Sequence, residues 1–209
     1  MLKIDLVEKY KGSTYKVELS TGEVYFWNVE IILDCHIKTG TEISQEDLDE
    51  AILANEYRKA RERALYLLDY RDHSYVELFK KLEKNYSEET CYKVMGRMVE
   101  LGVINDNRYA ERLAEKLTNV KKYGYYRAKQ EMYLKGLDKE LIENCLAEYA
   151  DDTLSRLSEL VEKKYARKIV GRDSLNKVKN ALVRNGYSYS DINKVLDEYK
   201  AALIEQDEY

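Results

Sequence analysis

"KYGYYRAKQEMYLKGLDKELIENCL", Lys122 to Leu146, decides the architecture, because two divergent versions of it flank it. Before it stands "SYVELFKKLEKNYSEETCYKVM", Ser74 to Met95; after it comes "DSLNKVKNALVRNGYSYSDINKVL", Asp173 to Leu196. Each copy has a first helical stripe, a short polar turn, and a second apolar stripe: Leu137, Leu141, Ile142, Cys145 and Leu146 in the middle copy, Tyr187, Ile192, Val195 and Leu196 in the last. Gly136 and Gly186 sit at the turn, each directly before an apolar residue, the pattern of a helix that exits through a left-handed residue. The first copy has "EKNYSEET" there, with Asn85 as the expected left-handed residue. Repetition at about 50 residues predicts stacked helical units that each bury a face against a neighbour.

Composition agrees with that frame. Pro is absent and Gly numbers only 9, while 44% of residues are hydrophobic and 35% charged, so the chain should fold into helices with few sharp turns. Residues 1–34 differ. "KIDLVEK", "TYKVELS" and "EVYFWNVEII" alternate as strands do, which predicts an antiparallel sheet of three strands or fewer. "TGTEIS" closes it, and Ser44 with Asp47 resembles a capping box for a helix from Gln45. Leu48, Ile52, Ala60, Ala64, Leu65 and Leu68 then lie at helical spacings. In "ELGVINDNRYAERLAEKL", 100–117, Leu101, Val103 and Ile104 are expected in the core, Gly102 at a helix exit, and Asn105 or Asp106 at the next cap. The expectation is a mostly α protein. Its tandem three-helix repeats form an elongated, curved array behind a small N-terminal antiparallel β segment. The expected divisions are 1–43 for the β segment, 44–104 for a linking helix and first repeat, 105–152 for the second repeat and 153–209 for the third.

Charge is unevenly placed. The formal net charge is -4, yet residues 1–50 carry 5 basic and 11 acidic side chains, whereas Arg108 to Arg184 carries 18 and 12. An acidic total hiding a basic centre argues against a protein that coats nucleic acid by charge alone. No glycine-rich phosphate loop, HExxH or paired CxxC occurs. His36 sits in "DCH" at an expected strand end, and His73 is expected exposed or at a helix cap. No catalytic residue, metal ligand or cofactor is expected. Cys35, Cys91 and Cys145 are far apart and read as free thiols of a reducing cytoplasm. The opening "MLKIDLVEKYKGS" lacks a signal peptide's apolar core, and no stretch approaches a membrane span, so a cytoplasmic, monomeric protein is expected.

Two basic segments are candidates for binding. "NVKKYGYYRAK" sets Lys121, Lys122, Arg127 and Lys129 among Tyr123, Tyr125 and Tyr126. Such interleaving contacts phosphates and stacks on bases, or matches an acidic protein surface; alternatively the tyrosines pack between helices and the lysines face water. "VEKKYARKIVGR" supplies Lys163, Lys164, Arg167, Lys168 and Arg172. Lys164 and Lys168 are one helical turn apart, which predicts a cationic stripe partly neutralised by Glu159 and Glu162. Arg108 and Arg112 are surface candidates four residues apart.

The order of these motifs resembles the RecX family, the bacterial regulators of RecA recombinase. "LFKKLEKNYSEETCYKVMGRMVELGVINDNRYAERLAEKL" is similar to the family's first repeat, which runs into "ELGYLDDERYA"; Arg108 and Tyr109 match its "RYA". "KYGYYRAKQEMYLKGLDKELIENCL" resembles "GP.RI..EL..KGI..ELI", and "SLNKVKNALVRNGYSYSDINKVL" resembles "R..LL.RGFSYD.I..VL". "ALYLLDYRDHS" resembles the opening of the first unit in longer members, and the likeness covers about residues 60–200. Tyr125 replaces the usual proline, Ala128 a larger apolar residue, Asn105 the first acid of "DDER", and Asn107 its Glu. Lys122, Gly124 and Arg127 fall where the family is basic and tight. The resemblance implies a modulator without catalysis of its own, bound in the groove of the RecA–DNA filament and restraining ATP hydrolysis and strand exchange. Basic faces would meet recombinase or, weakly, DNA backbone. The residues alone leave a stand-alone DNA-binding helical-repeat module open.

Overall fold

The computed structural model describes residues 1–207, with side chains through Leu203. The chain divides into two compact units, residues 1–72 with 78–103, and residues 73–77 with 104 onward. Among the described residues are four strands and ten α-helices.

The first unit begins with β1 (Leu2–Lys11), β2 (Thr14–Leu19) and β3 (Val24–Asn28), joined as antiparallel neighbours, with two-residue β4 (Glu42–Ile43) on the far side of β1. Period-2 alternation turns Val17, Leu19 and Trp27 inward beside Ile4, with Val17 paired to Val7 and Tyr25. Four strands correct the expected three, because Glu42 and Ile43 pair with Lys3 and Leu2. The apolar run after Trp27 also leaves the sheet. Asn28 caps a short helix α1 (Val29–Asp34) by accepting the Glu30 N–H at 2.9 Å, and Ile31 and Ile32 enter the same core. "DCH" therefore closes a helix instead of a strand.

Helix α2 (Gln45–Tyr70) starts on that core through Leu48 and Ala51. Ser44 caps it, accepting the Asp47 N–H at 3.0 Å; the Asp47 carboxylate returns to the Ser44 hydroxyl instead of its backbone. Further on, α2 packs against α4 (Glu88–Glu100) with Ala60, Ala64 and Leu67 buried. Leu65 is exposed, since the buried stripe passes through Leu67. Between them lies α3 (Tyr75–Leu82), followed by a turn in which Asn85 does not adopt the left-handed conformation. Tyr86 secures this turn, its hydroxyl donating to the Lys59 carbonyl at 3.3 Å. Glu56 of α2 accepts from the Ser87 N–H (2.6 Å), the Ser87 hydroxyl and the Thr90 hydroxyl (both 2.9 Å), which holds the start of α4. Leu101 and Val103 are exposed, against expectation: the chain reverses after α4 with the Val103 N–H on the Met98 carbonyl, and only Ile104 turns inward.

The second unit contains two triplets. The first is α5 (Asp106–Glu115), α6 (Tyr125–Leu134) and α7 (Lys139–Ala147) around Ala114, Leu117, Met132, Ile142 and Cys145. Asn105 caps α5, and α5 continues as a π-helical turn, Lys116–Val120. The second is α8 (Thr153–Lys164), α9 (Arg172–Arg184) and α10 (Tyr189–Asp207) around Leu157, Val161, Leu182, Tyr187 and Ile192. Among the described residues no helix is long and apolar enough to cross a membrane.

Candidate partner-binding site

The site is built on a joint that recurs in the second unit: the turn ending one repeat's middle helix meets the start of the preceding repeat's middle helix. At the start of α3, Ser74 accepts the Glu77 N–H and donates to the Lys135 carbonyl, while Asp106 accepts the Tyr75 N–H at 2.8 Å. Lys135 is also ion-paired with Glu77 at 3.0 Å. This docking leaves His73 only 3% exposed, which corrects the expectation of an exposed or capping histidine. At the start of α6 no side chain caps the helix. Instead the Gly124 N–H donates to the Asn185 carbonyl at 2.9 Å and the Tyr126 N–H to the Gly186 carbonyl at 3.1 Å. The positive end of α6 thus faces the negative end of α9, a favourable alignment of helix dipoles. Gly186 has φ +87°, and a Cβ there would meet the Arg127 backbone; a Cβ at Gly124 would strike the Gly186 carbonyl. Both positions demand glycine for close approach, and Gly186 for its left-handed backbone as well.

Five of the ten candidate cations are bound within or beside this joint. Lys122, itself at φ +52°, reaches Glu159 at 2.7 Å, and Lys163 reaches the same carboxylate at 2.6 Å. Hydrogen bonds from Lys122 and then Lys163 hold the Glu159 carboxyl down to about 2. Arg127 lies 4.0 Å from the Tyr123 ring centre and donates to Asn185 Oδ1 at 3.1 Å; Lys121 approaches the same ring at 5.5 Å. Lys129 donates to Glu143 at 2.6 Å, which raises the lysine and lowers the acid, and it lies 5.5 Å from the Tyr125 ring. The Tyr187 hydroxyl donates to the Lys122 carbonyl at 2.9 Å, and burial pushes it up to about 12.

The second cationic segment differs from its expected form. Helix α8 stops at Lys164, and a 3-10 turn, Ala166–Lys168, follows, so Lys164 and Lys168 do not share a helical stripe. They lie instead 5.4 and 5.9 Å from the ring of buried Tyr165. Arg167 is exposed on the 3-10 turn, Arg172 is exposed at the first position of α9, and Arg108 is exposed in the first turn of α5. Sequence reasoning missed Asn185 and Tyr187 as anchors of the first segment. Their signal was the "NGY" turn itself, read only as a helix exit. Among the described residues, no group of three or more His, Cys, Asp or Glu residues is placed to hold a metal.

Helices taken in threes and coupled turn to helix start define a tandem three-helix repeat protein. Residues 60–98 match the family model for "RecX, first three-helix domain", and residues 105–146 that for "RecX, second three-helix domain". The chain is 32% identical over 142 residues to Regulatory protein RecX of Prosthecochloris aestuarii, covering 68% of this chain and 93% of that protein. It is 27% identical to Regulatory protein RecX of Clostridioides difficile, covering 99% of this chain and 98% of that protein. The chain belongs to the RecX family. Its fold is similar to a crystal structure of regulatory protein RecX, with TM-score 0.68, 21% identity, and coverage of 94% and 100% of the two chains. The crystal structure of RecX from Lactobacillus salivarius gives TM-score 0.60 and 26% identity, with 71% of this chain and 99% of that one covered.

Proposed function

We propose that this protein is a non-catalytic modulator of RecA recombinase that binds in the groove of the RecA–DNA filament and restrains ATP hydrolysis and strand exchange. It would thereby regulate recombination and DNA repair. The observation that carries the reading is family membership through two consecutive three-helix domains in a regulatory-protein family. The recombinase-facing residues fall in the segments 105–152 and 153–209, which serve as the second and third repeats. The geometry supports a division of eight of the ten cations by task. Lys122, Lys129 and Lys163 hold carboxylates of this chain, and Arg127 clasps Tyr123 and Asn185, so these four set the joint. Exposed Lys121, Lys164, Arg167 and Lys168 present charge outward, where it steers association with an acidic surface and weakens with salt.

The test is the single-strand-DNA-dependent ATPase of the host RecA, titrated with this protein below one molecule per recombinase. Wild type is expected to inhibit. Replacing Lys121, Lys164, Arg167 and Lys168 by Ala is expected to raise the half-inhibiting concentration by about tenfold. No effect on ATPase at excess protein, with no binding to filaments, would sink the reading. A second reading, a stand-alone DNA-binding module, is favoured by exposed Tyr125 and Tyr126 beside Lys129. It predicts no capture of RecA in the absence of DNA.

A further inference from the structure

Within the second unit, a groove of about 620 Å³ opens between the end of α7, the start of α8 and the α9–α10 turn. Tyr123, Tyr125, Tyr126, Tyr149 and Tyr187 line it with Leu154, so one part of its wall is aromatic and apolar beside a polar part. Arg156 also lines it, and this side chain is only 9% exposed. Its Nη2 donates to the Tyr149 carbonyl and, at 3.3 Å, to Thr153 Oγ1, and its guanidinium lies 5.8 Å from the Tyr149 ring centre. Among the described residues no carboxylate is ion-paired with it, and Nε and Nη1 have no hydrogen-bond partner. Neither atom is fully buried, and the side chain to which they belong lines the groove. Buried guanidinium groups are normally paired, and a guanidinium has five N–H donors in a fixed plane. Here three of those protons meet no acceptor among the described residues.

The natural partner of a guanidinium is an anion, and the walls narrow which kind. Glu143, Asp151 and Asp191 share the lining. Lys129 neutralises Glu143, and Asp191 is hydrogen-bonded by Ser188, but a nucleic-acid strand with a charge at each nucleotide would still run past all three. A single carboxylate flanked by an apolar or aromatic side chain needs one cation and an apolar wall, which is what the groove offers. We propose that the groove takes a short, mainly apolar segment of a protein partner that carries a single carboxylate, its one Asp or Glu on Arg156 and a neighbouring apolar side chain against Tyr126 and Leu154. The segment is the carboxylate's source; a DNA phosphate is the competing outcome. The inference rests on the reading above that the partner is a protein, but its test needs no recombinase, so the two stand or fall separately.

The full chain, isotope-labelled, is titrated by NMR with acetyl-Phe-Glu-Phe-amide, with its Gln counterpart, and with a short oligothymidylate. The Glu peptide is expected to shift the Arg156 Nε–H and Tyr126 ring resonances saturably, and the Gln peptide to bind about tenfold more weakly. Arg156→Gln should erase the difference between the two peptides. Because Arg156 also holds the Tyr149 carbonyl, Tyr126→Ala serves as the second variant: the ring is 63% exposed, and its loss should weaken both peptides with the fold's spectrum unchanged. Equal affinity for the two peptides, saturation by oligothymidylate alone, or no shift with any of the three probes would overturn the proposal.

Discussion

The turn after α3 and the turns after α6 and α9 occupy the same place in successive repeats, yet they are secured by different chemistry. Asn185–Gly186 fastens to the start of α6 through backbone hydrogen bonds at near contact distance, and a left-handed glycine makes that approach possible. Lys135–Gly136 meets the start of α3, where a Cβ on Gly136 would lie 2.6 Å from the Val76 Cβ. The turn at Asn85 has no left-handed residue and is fixed by side chains, Tyr86 on Lys59 and Glu56 on Ser87 and Thr90. A repeat can therefore diverge at its most constrained point if polar side chains replace the backbone contact.

Substitution at the three turns breaks this comparison most strongly. Gly186→Ala should cost about 3 kcal/mol, combining left-handed strain with a collision against fixed backbone. Gly136→Ala should cost somewhat less, about 2 kcal/mol: its backbone is left-handed too (φ +74°), but the collision is with Val76 side-chain carbons at 2.6 Å instead of with backbone, which lies closer still at Gly186. Asn85→Gly should cost under about 1 kcal/mol, through chain entropy alone. Urea unfolding of the three variants gives the order, and equal losses would mean the joints do not differ.

The Glu56 network comes next. Burial pulls this carboxyl up, but the hydrogen bonds from Ser87 and Thr90 more than offset it, leaving it below its ordinary value. Its contribution is then complete above the ordinary carboxylate range and is lost as pH falls through the lowered folded value. Glu56→Gln should cost about 2 kcal/mol at neutral pH and should lose less than wild type on acidification. Urea midpoints at neutral and acid pH check both statements.

The smallest effect is at Glu159, which lies 40% exposed between two lysines. Held down to about 2, it keeps its charge and its pairing until far into acid, and the pairing is lost only as pH falls toward that value. Carboxyl titration by NMR should place its midpoint there, and Lys122→Ala should move the midpoint upward. A solvated pair of this kind has little effect on overall stability.

What could be read from the sequence follows from how local each cause is. The exits at Gly136 and Gly186 and the stripe from Leu137 to Leu146 depend on backbone freedom and helical period, and both are written in adjacent residues. The helix over Val29–Asp34 was hidden because Asn28 caps it in the middle of an alternating pattern that otherwise reads as strand. Leu67, not Leu65, is buried because the choice is made by what α2 packs against. The placement of the cations was least legible. Glu159 lies 37 residues from Lys122 and Asn185 lies 58 from Arg127, and no window of sequence shows such a pairing. Arg156 could not be singled out for a related reason: its mark is a guanidinium only partly hydrogen-bonded among the described residues, which only the folded chain displays.

The open start of α6 also sets an order of events at the ribosome. Its amides at Gly124 and Tyr126 receive their partners from Asn185 and Gly186, residues translated well after the helix itself. A nascent chain that has emerged only through α7 holds an unfinished second repeat, with a helix end that water alone can serve. Completion waits for the third repeat, so a chain truncated ahead of Asn185 loses more than the residues removed.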